Sequence, residues 1–129
     1  MHMGRRFVII GAFLGMLGVL MGAFGAHALD ATLKANGRQS VYETAVQYQF
    51  IHALALLFVS SAISRWPGRL ARAAGILFVI VIVFFSGSLY ILAIFNVPIM
   101  GAVAPIGGIA LVLGWLCLIL MAWRNNTAE

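Results

Sequence analysis

The sequence predicts an all-α polytopic membrane protein, an antiparallel bundle of four transmembrane helices. Three observations carry that prediction. Of 129 residues, 64% are hydrophobic and 9% charged, with a mean hydropathy of +1.08. Eight basic and three acidic residues cannot coat a water-soluble globule, whose residues are roughly a quarter charged. Four apolar runs each reach the length of about 20 residues that crosses a hydrocarbon core. The basic residues gather between and beside those runs, with six of the eight on one side.

The runs define the elements in order, within one transmembrane domain over residues 1–129. The first spans about 7–29 and contains no Asp, Glu, Lys or Arg. Arg5 and Arg6 before it, and Ala26-His27-Ala28 at its end, resemble a secretory signal with a small-residue cleavage site. The run is longer than an ordinary signal core and is read as a true helix. Asp30 is placed to cap a short helical turn ending near Gly37, and the loop it opens is expected to be solvated. Ser40-Val41-Tyr42-Glu43 has the form of a capping box, which starts the second helix, about 40–64. Trp66-Pro67-Gly68-Arg69 reads as a turn. The third helix, about 70–95, carries Arg72 near its start and ends before Asn96-Val97-Pro98. Pro105 suits the first turn of a fourth helix, about 104–123, because its missing N–H is not needed there.

Charge sets the orientation. Arg5, Arg6, Arg65, Arg69, Arg72 and Arg124 fall on one side, whereas Lys34 and Arg38 share the other with Asp30 and Glu43. The positive-inside rule then places both termini in the cytoplasm, with Trp66 and Trp123 at that boundary. Membrane orientation accounts for the net charge of +5 without nucleic acid. The one cysteine, Cys117, excludes a disulfide within the chain and reads as a small apolar packing residue.

Two patterns mark candidate packing and site residues. Gly4, Gly11, Gly18 and Gly25 repeat every seven residues, with Gly15 and Gly22 between them. In helix four, Gly101 and Gly108, and Gly107 and Gly114, are also seven apart. Lipid supplies no hydrophobic drive between helices, so small residues that admit close van der Waals approach mark the expected contact faces. The second pattern is a polar belt in the outer half. From the helix rise, Gln49 lies about 7 Å and His52 about 12 Å inward of Thr44. Tyr90 and Ser86 lie at matching depths of about 7 and 13 Å inward of Phe95. Ala45, Tyr48, Gln49, His52 and Leu56 share one helix face. With His27 and Ser88, these polar groups are expected to face one another, because polar groups at membrane depth are costly without partners. A hydrogen-bonded network, a seat for a lipid or quinone headgroup, and a haem or zinc site all remain open. The spacing matches no strong metal motif, and no cofactor is expected. At its depth His52 is expected to be neutral and hydrogen-bonded rather than metal-bound.

Gly22-Ala23-Phe24-Gly25-Ala26-His27-Ala28-Leu29, Tyr42-Glu43-Thr44-Ala45, Tyr48-Gln49 and His52-Ala53-Leu54-Ala55-Leu56 form a series. Phe85-Ser86-Gly87-Ser88-Leu89-Tyr90, Pro105-Ile106-Gly107-Gly108 and Gly114-Trp115 continue it. Together they resemble the YgdD-like family of small inner-membrane proteins, a family of unknown function. The resemblance covers almost the whole chain and implies four membrane helices. It brings no reaction, so it assigns no catalytic residue.

The residues themselves offer no nucleophile with a base, no phosphate-binding glycine loop and no acid pair for hydrolysis. The first functional expectation is therefore a non-enzymatic protein of the bacterial inner membrane. It would pack with a second copy or another membrane protein and support envelope function. The alternatives are a binding protein for a lipophilic molecule in the outer half, and a small transporter subunit. No intramembrane acid is present to carry a coupling proton for the last.

Overall fold

The computed structural model of the chain describes residues 2–126, without the side chain of Asn126; residues 1 and 127–129 of the expected domain lie outside them. The elements are α1 (Met3–Ala26), α2 (Asp30–Asn36), α3 (Gln39–Arg65), α4 (Arg69–Ile80), a π-helical turn (Val81–Ser86), α5 (Gly87–Phe95) and α6 (Met100–Asn126). The chain runs from α4 through the π turn into α5 without a break. Four helices are thus long and apolar enough to cross a membrane: α1, α3, the composite span Arg69–Phe95, and α6. The architecture is the predicted all-α one. The central helices are α3 and the composite span. The first span, α1, lies along α3, while α6 lies along the composite span.

Several boundaries differ from the sequence expectation, each for a local reason. Helix one ends at Ala26, where His27 departs from helical geometry and Leu29 N–H bonds back to the Phe24 carbonyl. Asp30 is the first residue of α2 rather than its cap; it pairs with Lys34 at 2.9 Å and accepts a bond from Gln39 at 3.1 Å. Gly37 ends α2 in the left-handed conformation, as its position suggested. No capping box forms at Ser40. Helix α3 has already begun at Gln39, and the Ser40 carbonyl accepts from the Thr44 hydroxyl within the helix. Span four starts at Met100, before Pro105. The N–H groups of Met100, Gly101 and Ala102 find the carbonyls of Val97, Pro98 and Ile99. Pro105 therefore lies inside the helix, where it removes the donor for the Gly101 carbonyl, on an exposed residue near the span's end.

The segment after Leu29 is docked rather than freely solvated. Leu33 of α2 is 1% exposed and packs with Tyr42 and Ala93. The Asn36 amide donates to the carbonyls of Ala93 and Ile94 at 3.0 and 3.1 Å. Those carbonyls belong to the last turn of α5 and have no donor within their own helix. Asn96, left-handed with φ 52°, closes that end, in a conformation asparagine tolerates better than most residues. Toward the arginine-rich end, Phe7, Leu56, Val59, Phe78, Leu118 and Met121 form the larger apolar cluster.

The glycine pattern resolves into contacts and open positions. A Cβ on Gly11 would lie 2.9 Å from the Ala53 carbonyl oxygen, and one on Gly18 would lie 3.1 Å from the Phe50 ring. One on Gly25 would collide with the Tyr42 ring, and one on Gly4 would reach Ser60. The heptad set is therefore the α1–α3 seam. Gly22 meets only Val46, at an ordinary 3.8 Å. Gly15, between the heptad positions, and Gly108 on α6, both expected in the seams, have nothing within 4 Å of an added Cβ. On α6, Gly114 admits the Phe78 ring and Gly107 admits the backbone of Phe85. Gly75, unremarked in the sequence, receives the Phe7 ring from α1.

Candidate functional site: a buried polar ladder

Polar side chains climb the interior from the α2 end to mid-membrane. His52 is the central residue of Gln39–Arg65, thirteen residues or about 20 Å from either end. It is 1% exposed, Gln49 3% and Ser86 0%. At the top, the Tyr42 hydroxyl donates to the Met21 carbonyl of α1. One heptad further along α3, the Gln49 amide donates to the Leu14 carbonyl at 2.9 Å. Tyr90 of α5 donates to the Gln49 side-chain oxygen at 2.6 Å, so one glutamine joins three spans. At the π turn, Ser86 donates to the Ala45 carbonyl of α3 at 2.9 Å.

The acceptors on α1 exist because of the glycines. A helical Cβ leans toward the N-terminus, so each side chain covers the turn before it. Gly18 leaves the Leu14 carbonyl uncovered, and Gly25 does the same for Met21. Each carbonyl can then accept a second bond besides its helical one. Seam and ladder share one heptad spacing for this reason.

His52 occupies the lowest rung. Its Nδ1 lies 2.8 Å from the Tyr48 carbonyl oxygen, an acceptor, so Nδ1 carries the proton. The Trp115 indole N–H of α6 donates to Nε2 across 3.2 Å, so Nε2 supplies a lone pair. A neutral imidazole of this tautomer satisfies both partners; a second proton on Nε2 would face the indole N–H. Rings enclose the site. Phe78 lies 5.3 Å from His52 and 5.0 Å from Trp115 between centroids, and Tyr48 stacks over His52 at 6.0 Å and 17°. Tyr48 thus contributes its carbonyl and its ring face to this site.

The π turn aims these groups. Its signature is the Gly87 N–H bonding to the Ile82 carbonyl, five residues back. The extra residue rotates the helix face by about 100° between Phe78 and Tyr90. Phe78 below it, Ser86 at its last residue and Tyr90 above it therefore all point toward α3. At this turn the Phe85 backbone packs directly over Gly107 of α6.

Of the expected belt, Gln49, His52, Ser86 and Tyr90 meet around α3. His27 does not join them: it is exposed at the end of α1, outside the span. Ser88 is buried but bonds the Phe85 carbonyl of its own helix at 2.9 Å. Tyr42, Trp115 and Asn36 belong to the structure's polar contacts and lie outside the expected belt. A signal existed for Trp115: tryptophan favours membrane interfaces, so one near the middle of a span needs a buried acceptor. Every buried side-chain nitrogen and oxygen among the described residues has a hydrogen-bond partner. No three His, Cys, Asp or Glu side chains among them come together.

Fold and ladder together define an integral membrane protein of four spans, held internally by side chains bonded to the backbones of neighbouring helices. Residues 21–108 match a family described as a protein of unknown function (DUF423), and the chain belongs to that family. It is 44% identical over 120 residues to a UPF0382 membrane protein of Staphylococcus haemolyticus, covering 93% of this chain and 97% of that one. A UPF0382 membrane protein of Staphylococcus saprophyticus is 46% identical over 120 residues, covering 93% and 98%. The UPF0382 membrane protein YwdK of Bacillus subtilis is 40% identical over 119 residues, covering 92% and 96%. No solved structure matches the chain.

Proposed function

We propose that this chain is a non-enzymatic helix-packing protein of the bacterial inner membrane, of the YgdD-like kind, with both termini in the cytoplasm. It associates through its outer faces with a second copy or another membrane protein and supports envelope function. The observation that carries this reading is the closure of the polar ladder. Tyr42, Gln49, His52, Ser86 and Tyr90 direct their polar atoms at protein groups, so the interior is arranged to hold helices together. The surfaces left for association are the apolar outer faces of α1 and α6, with Phe13 and Val19 on one and Ile109 and Val112 on the other.

Gentle purification followed by native mass spectrometry and an absorption spectrum of the same sample tests the proposal. The expected result is a protein-only assembly without a stoichiometric chromophore. A bound quinone or haem would replace it with the ligand-binding reading. That second reading has one observation in its favour, a cleft of about 340 Å³ between α1, α2 and α3, floored by Gly22 and Gly25 and rimmed by Gln39 and Glu43. The orientation rests on the six-to-two division of basic residues. A cytoplasm-active reporter fused after Arg124 is expected to be active; activity only of a periplasm-dependent reporter would reverse the topology.

A further inference from the structure

The arginine-rich end of the bundle contains a second cavity, separate from the ladder. It measures about 450 Å³ and lies between the start of α1, the end of α3 and the first turn of α4. That volume falls within the range of about 300–1,000 Å³ typical of small-molecule sites. Its lining includes Gly4, Arg5, Ser60, Ser64 and Arg72. The two arginines come from different spans and line one space.

No carboxylate among the described residues lies at that end. Asp30 and Glu43 are the only carboxylates among the described residues, and both sit at the opposite end, where Asp30 is held by Lys34. The first turn of α1 has no acidic residue and no side-chain cap, so its free N–H groups add positive partial charge on the same side. Gly4 lets the α1 backbone approach α3 closely: a Cβ there would lie 3.3 Å from the Ser60 carbonyl oxygen and 3.4 Å from its hydroxyl. The seam thereby brings Ser60 and Ser64 into one lining with Arg5, the Ser64 hydroxyl donating to the Ser60 carbonyl oxygen at 3.5 Å. The cavity lies at the ends of the spans, at headgroup level. Below it the α1 surface is apolar, with Val8 and Ile9 exposed.

We infer that this cavity seats the phosphate headgroup of one anionic phospholipid, its acyl chains lying along the apolar surface of α1. Paired arginines over an apolar wall fit a phosphate that carries hydrocarbon. Basic pockets between membrane helices recognise anionic headgroups by this chemistry. The inference depends on the chain spanning a membrane and is independent of which side the arginines face.

The test uses the full chain in detergent, with phosphatidylglycerol or phosphatidylcholine added before native mass spectrometry. One phosphatidylglycerol is expected to remain bound under conditions that strip phosphatidylcholine. Arg5→Gln and Arg72→Gln should each weaken retention about five-fold, the effect of one basic residue near an anionic headgroup. Arg5→Lys should retain most of the binding. Arg6→Gln, which removes the same charge beside the cavity without lining it, should weaken retention clearly less than Arg5→Gln does. Thermal melting of each variant separates loss of the seat from loss of the fold, and Arg5→Gln, on an exposed first turn, decides the matter if Arg72→Gln does not fold. Equal losses for Arg5→Gln and Arg6→Gln would show diffuse attraction and overturn the inference. So would equal retention of phosphatidylcholine, or displacement of the lipid by excess inorganic phosphate, which would identify a free-anion site.

Discussion

Replacing Gly11 with alanine should destabilise the fold, whereas the same change at Gly15, one turn away, should not. The Gly11 Cβ would stand 2.9 Å from the Ala53 carbonyl oxygen and 3.1 Å from the Leu56 Cβ. Ordinary van der Waals contact begins near 3.4 Å, so the shortfall at the oxygen is about 0.5 Å. That oxygen is helix backbone and cannot rotate aside, so α1 must withdraw along part of the seam. A gap of that size forfeits roughly a quarter of the dispersion energy of the contacts it opens. Overpacking of this kind costs about 1–3 kcal/mol. Alanine recovers about 0.5–1 kcal/mol over glycine in a helix interior. The net expectation for Gly11→Ala is a loss of about 1 kcal/mol, within a span of about 0–2.5 kcal/mol. At Gly15 no atom lies within 4 Å of the added Cβ, so only the favourable term remains. Reversible unfolding of both variants in mixed micelles, followed by circular dichroism, measures the difference. Equal effects, or a stabilised Gly11→Ala, would refute the claim that the heptad glycines set the α1–α3 distance.

Three further outcomes follow from the ladder and its cap. His52→Leu leaves the Trp115 indole N–H unpaired and should cost about 1–3 kcal/mol, while His52→Gln, which keeps an acceptor, should cost less; equal losses in a melting assay would contradict the assigned bond. Adding Trp115→Phe to His52→Leu removes the stranded donor, so a double-mutant cycle should show the two losses to be less than additive; strict additivity would place the residues out of contact. Asn36→Ala should free the Ala93 and Ile94 carbonyls and detach α2, read as faster amide hydrogen exchange at Leu33 and Lys34 with the spans unchanged; unaltered exchange there would mean that Leu33 alone holds α2.

The spans were legible because their signal is compositional: long runs with charges only at the ends admit one reading in lipid. The ladder was legible in part. Gln49, His52, Ser86 and Tyr90 could be matched by depth and face, because a polar group at that depth needs a partner. What most of them bond was not legible. Leu14, Ala45 and Tyr48 act through backbone carbonyls, which every residue carries, and a side-chain pattern cannot reveal which will accept. The π turn was hidden for a related reason. A regular helix places Phe78 and Ser86 about 80° apart, and only the inserted residue aims both at α3. His27 was misplaced because helix one was extended past Ala26, which drew an exposed end into the interior. Ser40 misled in a similar way: its pattern fits a cap, but α3 begins one residue before it.

The heptad coincidence of glycines and uncovered carbonyls has a consequence for how the helices find their register. A seam that repeats every seven residues is nearly blind to a slip of seven, about 10.5 Å. After such a slip the glycines would still face α3, and Gln49 would meet the Met21 carbonyl in place of Leu14. Adjacent helices that pair first after insertion therefore have two near-equivalent alignments. Two contacts separate them: Tyr42, whose Met21 acceptor would be lost as its partner position moves past the end of α1, and the Phe7 ring, which enters the notch at Gly75 on the third span. Enlarging Gly75 would remove the second of these contacts and should raise the share of chains with intact helices in the wrong alignment, read as a loss of α1–α3 cross-linking between cysteines placed at Gly18 and Phe50.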